Sequence, residues 1–376
     1  MLRRLLKDFR WDVLPVPGRL IAVIFFVFVF SFPLITQHPY YVRMLTYTSI
    51  FTIFAVSWDL LSGYTGQINF GHALFFGVAA YTSALLYKYL GWQPWATMPI
   101  GVLAAVAAGV ITCFPALKLR GPYLSLITLA FPLMLLGIVM AFKNVTGAEY
   151  GIPFLPSIAN SRVGEYYICL IVMTVSVLIM WKLTDAGSRY VRTGLIFHAI
   201  REDEIAARAT GINTIRYKLL AFVIGGLFAG IAGALFAHVR GMVSPGTTLT
   251  MTMSFQAVIW VIFGGIVSIY GAVVGVYTLY PLVYLSDRVK DLFASLYEAV
   301  PKTSALVPLR AILQFIQEVA EYPILVLAVI VIVILLFMPE GVGVWVRNKI
   351  ERQCPRCKLT NGAWRRECRA CGASLH

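Results

Sequence analysis

Charge is what this chain has least of. Its 376 residues hold 17 Asp and Glu and 31 Lys and Arg, together 13%, about half the share of an ordinary soluble domain. That composition excludes a typical soluble fold. Its five histidines are scattered at His38, His72, His198, His238 and His376, so the sequence assembles no His/Asp/Glu cluster of the kind an active site needs. No Gly-x4-Gly-Lys-Ser/Thr stretch occurs, so nothing in the chain cradles nucleotide phosphates.

Apolar length is what the chain has instead. It is 59% hydrophobic with a mean hydropathy of +0.80, and unbroken runs such as Leu20 to Ile35 and Ile324 to Met338 recur. A bilayer core needs roughly 20 mostly apolar residues per helix, and the runs lack the alternation of a barrel strand. The fold class expected is an all-α polytopic membrane protein. Ten spans are read at 20–36, 42–61, 73–90, 95–115, 122–142, 165–183, 217–239, 254–270, 272–286 and 322–338. The first is followed by Thr36-Gln37-His38-Pro39, not by a small-residue cleavage site, and reads as a retained helix. The net charge of +14 fits the positive-inside rule, so no nucleic-acid partner is needed. Most Lys and Arg fall in 1–19, 116–121, 182–218 and 339–376, which places both termini and the loop 184–216 in the cytoplasm of a multi-pass plasma (inner) membrane protein. The stretch 287–321 is mixed and extracytoplasmic on this count; Val289, Leu292, Phe293 and Leu296 are spaced for an amphipathic surface helix.

One short segment holds much of the scarce charge: Arg201, Glu202, Asp203, Glu204 and Arg208 fall within eight residues. Three acids in a first helical turn suit the macrodipole, and Glu204 and Arg208 make an i,i+4 pair. Gly211 stands where a helix-terminating glycine would, and Ala206, Ala207 and Ala209 keep such a helix slender. The expectation is one short helix offered to a partner surface. Glycines mark two further places. Gly63, Gly66, Gly71 and Gly77 follow the second span, with Asp59, Gln67, Asn69 and His72 among them. Irregular backbone at membrane depth is tolerated where it is buried in protein or lines water, so Gly63, Gly66, Gln67, Asn69, Gly71 and His72 are candidates for a solute path; small-residue helix packing is the alternative. Asp59 is an intramembrane carboxylate or an interfacial one. Gly264, Gly265, Gly271 and Gly275 form a second cluster, and Gly225, Gly226, Gly230 and Gly233 read as a packing face of the seventh span.

Six cysteines divide in two. Cys113 and Cys169 sit in spans as small buried residues. Cys354, Cys357, Cys368 and Cys371 form two Cys-x2-Cys pairs, the pattern of a structural zinc site closed by four thiolates. Two disulfides are the alternative, disfavoured on the reducing side of a membrane. The chain thus divides into a transmembrane region, 1–345, and a small zinc-ribbon-like tail, 351–376, whose Arg352, Arg356, Lys358, Arg365, Arg366 and Arg369 would suit lipid, RNA or protein.

AIREDEIAARATGI, from Ala199 to Ile212, resembles the cytoplasmic coupling-loop signature of the branched-chain amino acid permease subunits of ABC importers. SGYTGQINFGHALFFGVAAY (Ser62 to Tyr81), LRGPYLSLITLAF (Leu119 to Phe131), RYKLLAFVIGGLFAGIAGALFA (Arg216 to Ala237) and LFMPEGVG (Leu336 to Gly343) resemble further motifs of that family, in order, over about 45–345. Leu195, His198 and the stretch Val145 to Gly151 depart from its usual pattern, and the cysteine tail is not part of it. The likeness fits the second, more loop-rich of two permease types. It implies a subunit that imports branched-chain amino acids or related small solutes, with urea and short amides left open, and that performs no chemistry itself. It implies as partners a second permease subunit, two ATPase subunits, an extracytoplasmic solute-binding protein and membrane lipid. Arg201, Glu202, Asp203, Glu204, Ala206, Ala207 and Gly211 would carry the ATPase contact. The rivals are an ion-coupled secondary transporter, for which Asp59 is the one candidate ion ligand, a membrane enzyme, and a zinc-tailed scaffold.

Overall fold

A computed structural model describes residues 17–116, 122–185, 192–299, 323–354, 360–368 and 371–374. Its elements run in order as α1 (Pro17–Ile35), α2 (Pro39–Trp58) prolonged by a π-helical turn (Asp59–Gly63), α3 (Ala73–Leu90), α4 (Pro94–Ala116), α5 (Pro122–Ala141) and the short α6 (Lys143–Thr146). Then come β1 (Ile152–Pro153), α7 (Arg162–Thr184), α8 (Thr193–Glu202), α9 (Glu204–Ala209), α10 (Thr214–Arg240), β2 (Met242–Val243), α11 (Pro245–Thr248) and α12 (Met251–Gly264). The chain closes with α13 (Ile269–Ala299), α14 (Pro323–Phe337), α15 (Val342–Ile350), β3 (Glu351–Gln353) and β4 (Thr360–Gly362).

Among the described residues, eight helical stretches are long and apolar enough to cross a membrane: 39–63, 73–90, 94–112, 123–141, 162–184, 214–240, 245–264 and 331–350. Two shorter apolar stretches, Leu20–Ile35 and Ile269–Leu285, complete the set. Each span expected from the sequence has a helical counterpart here, so the molecule is a multi-pass, all-α membrane protein. α2 forms the axis. From Met44 to Trp58 every residue is buried, as in a helix apolar all round. Its hydroxyls return their hydrogen bonds to the helix itself: Thr46, Thr48, Ser49 and Thr52 each donate to the carbonyl four residues back, at 2.7–2.9 Å. Around it stand α3, α7, α10, α12 and α13. α10 presents its glycines inward, as expected, and to two neighbours. A Cβ at Gly225 would meet Leu61 of the π turn, one at Gly226 the Phe75 ring at 2.5 Å, and one at Gly233 the backbone of Phe76. Helices without a hydrophobic drive between them associate through such close approaches.

The boundary between the eighth and ninth spans is corrected. The sequence suggested a junction at Tyr270-Gly271; both lie inside α13, and the turn is residues 265–268. The cause is packing. Gly264 abuts Gly271 and Gly275 so closely that a Cβ at any of the three would strike backbone, which forces the two helices together and leaves the turn to be closed upstream. The amphipathic surface helix expected within 287–321 is also revised. α13 continues without a break to Ala299, carrying Val289, Leu292, Phe293 and Leu296, and 300–321 lie outside the described residues, as do Leu119, Arg120 and Gly121.

Contacts sort the connections into two ends. The Gly18 amide donates to Glu351 Oε1 at 2.9 Å, so the start of α1 and the close of α15 share an end with the charged loop. At the other end the pair β1–β2, with Ile152 opposite Val243, and the Lys88 Nζ donation to Val145 O at 2.8 Å tie the remaining loops.

The glycine contacts give a contrast that a thermal midpoint in detergent can read. Gly233→Ala, which pushes a methyl into Phe76 backbone, is expected to destabilise by about 1–3 kcal/mol through overpacking. Gly137→Ala, which meets nothing within 4 Å, is expected to be neutral or stabilising by up to about 1 kcal/mol.

Candidate functional site

The charged segment folds as two helices rather than the single one expected. Asp203 breaks them. Its φ of −153° is extended, and its Oδ1 accepts the amides of Ile205 (2.8 Å) and Ala206 (3.0 Å), as a short acid at an N-cap does. Glu202 therefore ends α8, Asp203 sits between, and Glu204 alone occupies the first turn of α9. The helix stop is where the sequence put it. Gly211 has φ +87°, a left-handed conformation suited to glycine. Its amide bonds Arg208 O at 2.9 Å while the Ile212 amide bonds Ala207 O at 3.1 Å, the paired closure of a Schellman turn.

Glu204 faces its own chain. It pairs with Arg208, as the i,i+4 spacing suggested, and also takes Lys218 Nζ at 2.8 Å and the Thr214 hydroxyl at 3.2 Å. Lys218, one turn into α10, is buried. Burial pushes the Glu204 carboxyl up, and the Lys218 and Arg208 cations outweigh it, so the group is held below its ordinary value of 4.5. The sign follows: this anchor is at full strength above that value and is lost only as pH falls through the lowered one. His198, in α8, is shifted down by burial and by Arg201, which keeps it neutral near pH 7. What α9 turns outward is Ile205, 67% exposed, with Glu202, Asp203, Ala206 and Ala209 around it; Ala207 faces inward, buried. Neither Ile205 nor Lys218 was singled out from the sequence. An ionisable residue at the start of a glycine-rich apolar span is the signal that would have found Lys218.

The glycine-rich stretch after α2 is an elbow followed by an extended return. After the π turn the chain runs back beside α2 with Thr65, Gln67, Asn69, Gly71 and His72 buried and Gly66 and Ile68 exposed. The Trp58 indole N–H donates to Asn69 O at 2.6 Å, the Asn69 amide to Ser62 Oγ at 3.1 Å, and the Gly71 amide to Asn69 Oδ1 at 2.8 Å. His72 Nε2 lies 2.8 Å from Ser57 Oγ, and Phe54 and Phe75 flank its ring. A Cβ at Gly71 would strike Thr128 O. The amide of Gln67 and Nδ2 of Asn69 are buried and find no hydrogen-bond partner among the described residues, which is uncommon enough in folded chains to mark a place where a further polar group is accommodated.

The two sequence-selected groups meet at Gly66. At φ +71°, its Cβ position would lie 3.3 Å from Arg201 Cγ and 3.5 Å from Arg201 Cα, so the elbow rests on the backbone of α8. Beside it the Tyr64 and His198 rings pack edge to face at 5.4 Å. Asp59 is fully buried and does not face an interface. Its Oδ1 accepts the Val267 amide at 2.8 Å and its Oδ2 the Ser268 amide at 3.0 Å, and Ser268 Oγ accepts the Gly271 amide at 3.0 Å. A carboxylate with both oxygens held by backbone is poorly placed as an ion ligand, which weakens the ion-coupled rival.

At the opposite end a cavity of about 270 Å³ opens among Val42, Arg43, Thr46, Arg162, Glu165 and Val239. In the tail, the sulfurs of Cys354, Cys368 and Cys371 lie within 4.8 Å of one another, with β3 and β4 paired beneath them. The Asn361 side-chain amide sits 3.6 Å from the Cys368 sulfur. Cys357 lies outside the described residues. Three converging thiols, one helped by an N–H donor, form a set that can bind a metal.

No solved structure matches the chain. Curated sequences do. The chain is 27% identical over 351 residues to the high-affinity branched-chain amino acid transport system permease protein LivM of Escherichia coli K12, covering 86% of this chain and 72% of that one. It is 31% identical over 253 residues to LivM of Salmonella typhimurium, 60% of this chain and 58% of the relative. To the permease protein LivH of Escherichia coli K12 it is 26% identical over 269 residues, 65% and 86% of the two chains, so the likeness to LivM of Escherichia coli reaches further along this sequence. Residues 40–335 match the family model described as the branched-chain amino acid transport system / permease component. That match spans well over half of the 376 residues, from α2 to the end of α14, and the chain belongs to this permease family.

Proposed function

We propose that the protein is a membrane-spanning permease subunit of an ATP-driven importer for branched-chain amino acids or related small solutes. The observation that carries the proposal is α9. It is a short helix anchored from behind by the Glu204–Lys218 pair, presenting the apolar Ile205 within a ring of small and charged residues. An exposed isoleucine rimmed by charge is the pattern of a docking contact. The chain has no phosphate-binding loop of its own, so the energy comes from a separate ATPase seated on this helix. Arg201, Glu202, Asp203, Ala206 and Gly211 shape that contact, and Ala207 and Glu204 fix it to the membrane helices. The loop end is then cytoplasmic, together with both termini.

The solute passes along the elbow. The Gln67 side-chain amide and Nδ2 of Asn69 have no hydrogen-bond partner among the described residues, while Gly63, Gly66, Gly71 and His72 hold the broken backbone in place. The cavity at the other end, lined by Arg43, Arg162 and Glu165 among polar and apolar residues, suits the two charged groups of an amino acid arriving from an external solute-binding protein. A second permease subunit and a second ATPase complete the assembly; lipid covers the exposed faces. The tail is a separate unit that carries one structural zinc on Cys354, Cys357, Cys368 and Cys371. The metal supplies there the core that 26 residues cannot build alone.

Two measurements bear on this reading. Ile205→Asp removes the docking contact and is expected to weaken ATPase copurification about 10- to 100-fold, in line with loss of an interface hot spot, while the chain inserts normally. Glu204→Arg leaves Lys218 buried beside two cations. It is expected to free the loop, read as faster chymotrypsin cleavage at Phe197, which is buried in the folded loop. Normal ATPase recovery with Ile205→Asp places the docking surface elsewhere. In the tail, metal analysis of a reduced, chelator-free preparation is expected to give one zinc per chain, and none in Cys357→Ser; a zinc-free native chain overturns that assignment.

A further inference from the structure

The charged loop is joined covalently to α7 and α10, and to nothing else. The helices on the far side of the elbow, α12 to α15, are reached from it along the chain only after the whole length of α10. Yet they are connected. The turn 265–268 between α12 and α13 hangs from both oxygens of Asp59. Asp59 opens the π turn, and the same turn packs Gly63 against Asp59 and Ile266. Three residues further on, Gly66 rests on Arg201 and Tyr64 on His198. On its other side the turn touches the junction of α14 and α15, where a Cβ at Gly265 would meet Glu340 O at 2.9 Å.

We propose that Asp59 is a positioning residue for transport: it ties the turn 265–268 to the elbow that rides on α8, so that displacement of the charged loop moves the start of α13. This rests on the reading of that loop as the ATPase contact. The chemistry of the tie supports it. An uncharged cap would close a helix start at less desolvation cost than a buried carboxylate. A carboxylate accepting two successive amides fixes position and orientation together, as charge-assisted bonds in a dry site do. Lodging it in a π turn, an irregularity that recurs at functional places, puts it at the one point where the elbow, α2 and the turn converge. The link is short: from Arg201 to Val267 it passes through Gly66, packed on Arg201, and then the buried Gly63 and the Asp59 carboxylate, a close-packed path that cannot yield without moving its neighbours.

The test uses the full importer in proteoliposomes and reads solute moved per ATP hydrolysed. Asp59→Asn keeps the shape and sets an amide N–H2 against one backbone donor, which loosens the tie. The expected result is ATP hydrolysis within about twofold of the unaltered complex, with solute per ATP down at least tenfold. An unchanged ratio overturns the proposal. So does a proportional fall of both rates, which is what a residue serving only the fold or assembly gives. Where the variant complex cannot be recovered, hydrogen exchange on the unaltered complex decides. The Val267 and Ser268 amides are expected to stay protected in both the nucleotide-free and ATP-bound states, because the tie moves as a unit; opening in either state overturns it. Failure of the underlying reading looks different, since the unaltered chain would then not assemble with an ATPase at all.

Discussion

The structure depends on one buried carboxylate. Asp59 accepts the amides of Val267 and Ser268 across 208 and 209 residues of sequence. Each of those amides would otherwise be an unsatisfied donor at a helix start inside an apolar bundle, at a cost of several kcal/mol in hydrocarbon. Together with the close packing of Gly264 on Gly271 and Gly275, the tie holds the turn between the end of α12 and the start of α13. It also explains why residue 63 is glycine, since a side chain there would collide with Asp59 itself.

A second constraint follows from the same requirement. A chain that breaks its helix at membrane depth must find partners for the freed groups. Residues 64–72 find them within the protein: Trp58, Ser62, Thr128 and Asn69's own carboxamide satisfy successive backbone groups. Among the described residues of this stretch the exceptions are the Gln67 amide, one nitrogen of Asn69 and Nδ1 of His72. A fold that satisfies nearly everything around them and leaves these open has room for a polar visitor or water there. At the loop end, an ion pair holds α9 to the base of α10, so that the exposed Ile205 is carried on a rigid mount.

Much of this was legible in the sequence. The spans announce themselves through apolar length, and their polar gaps mark the ends. Gly211 and the Glu204–Arg208 spacing follow local rules, and local rules survive folding. What the sequence hid was long-range. Asp203 reads as a first-turn acid; its contact with two amides makes it a cap instead and splits the helix. Lys218 looks like the rim of a span until Glu204 is seen to face it. Asp59 looked interfacial or ion-binding because its partners are backbone atoms more than 200 residues away, which carry no side-chain signature. The junction at Tyr270-Gly271 was misplaced because a glycine that packs and a glycine that turns look alike in sequence; Gly271 packs.

The central claim is that ATP hydrolysed elsewhere moves a solute through this chain. The direct measurement is uptake of radiolabelled leucine into proteoliposomes that hold this chain with the proposed second permease and ATPases, fed by the proposed external binding protein. The account predicts uptake that requires ATP and every subunit and persists when ion gradients are collapsed. Uptake by this chain alone, driven by an ion gradient and indifferent to ATP, would contradict it.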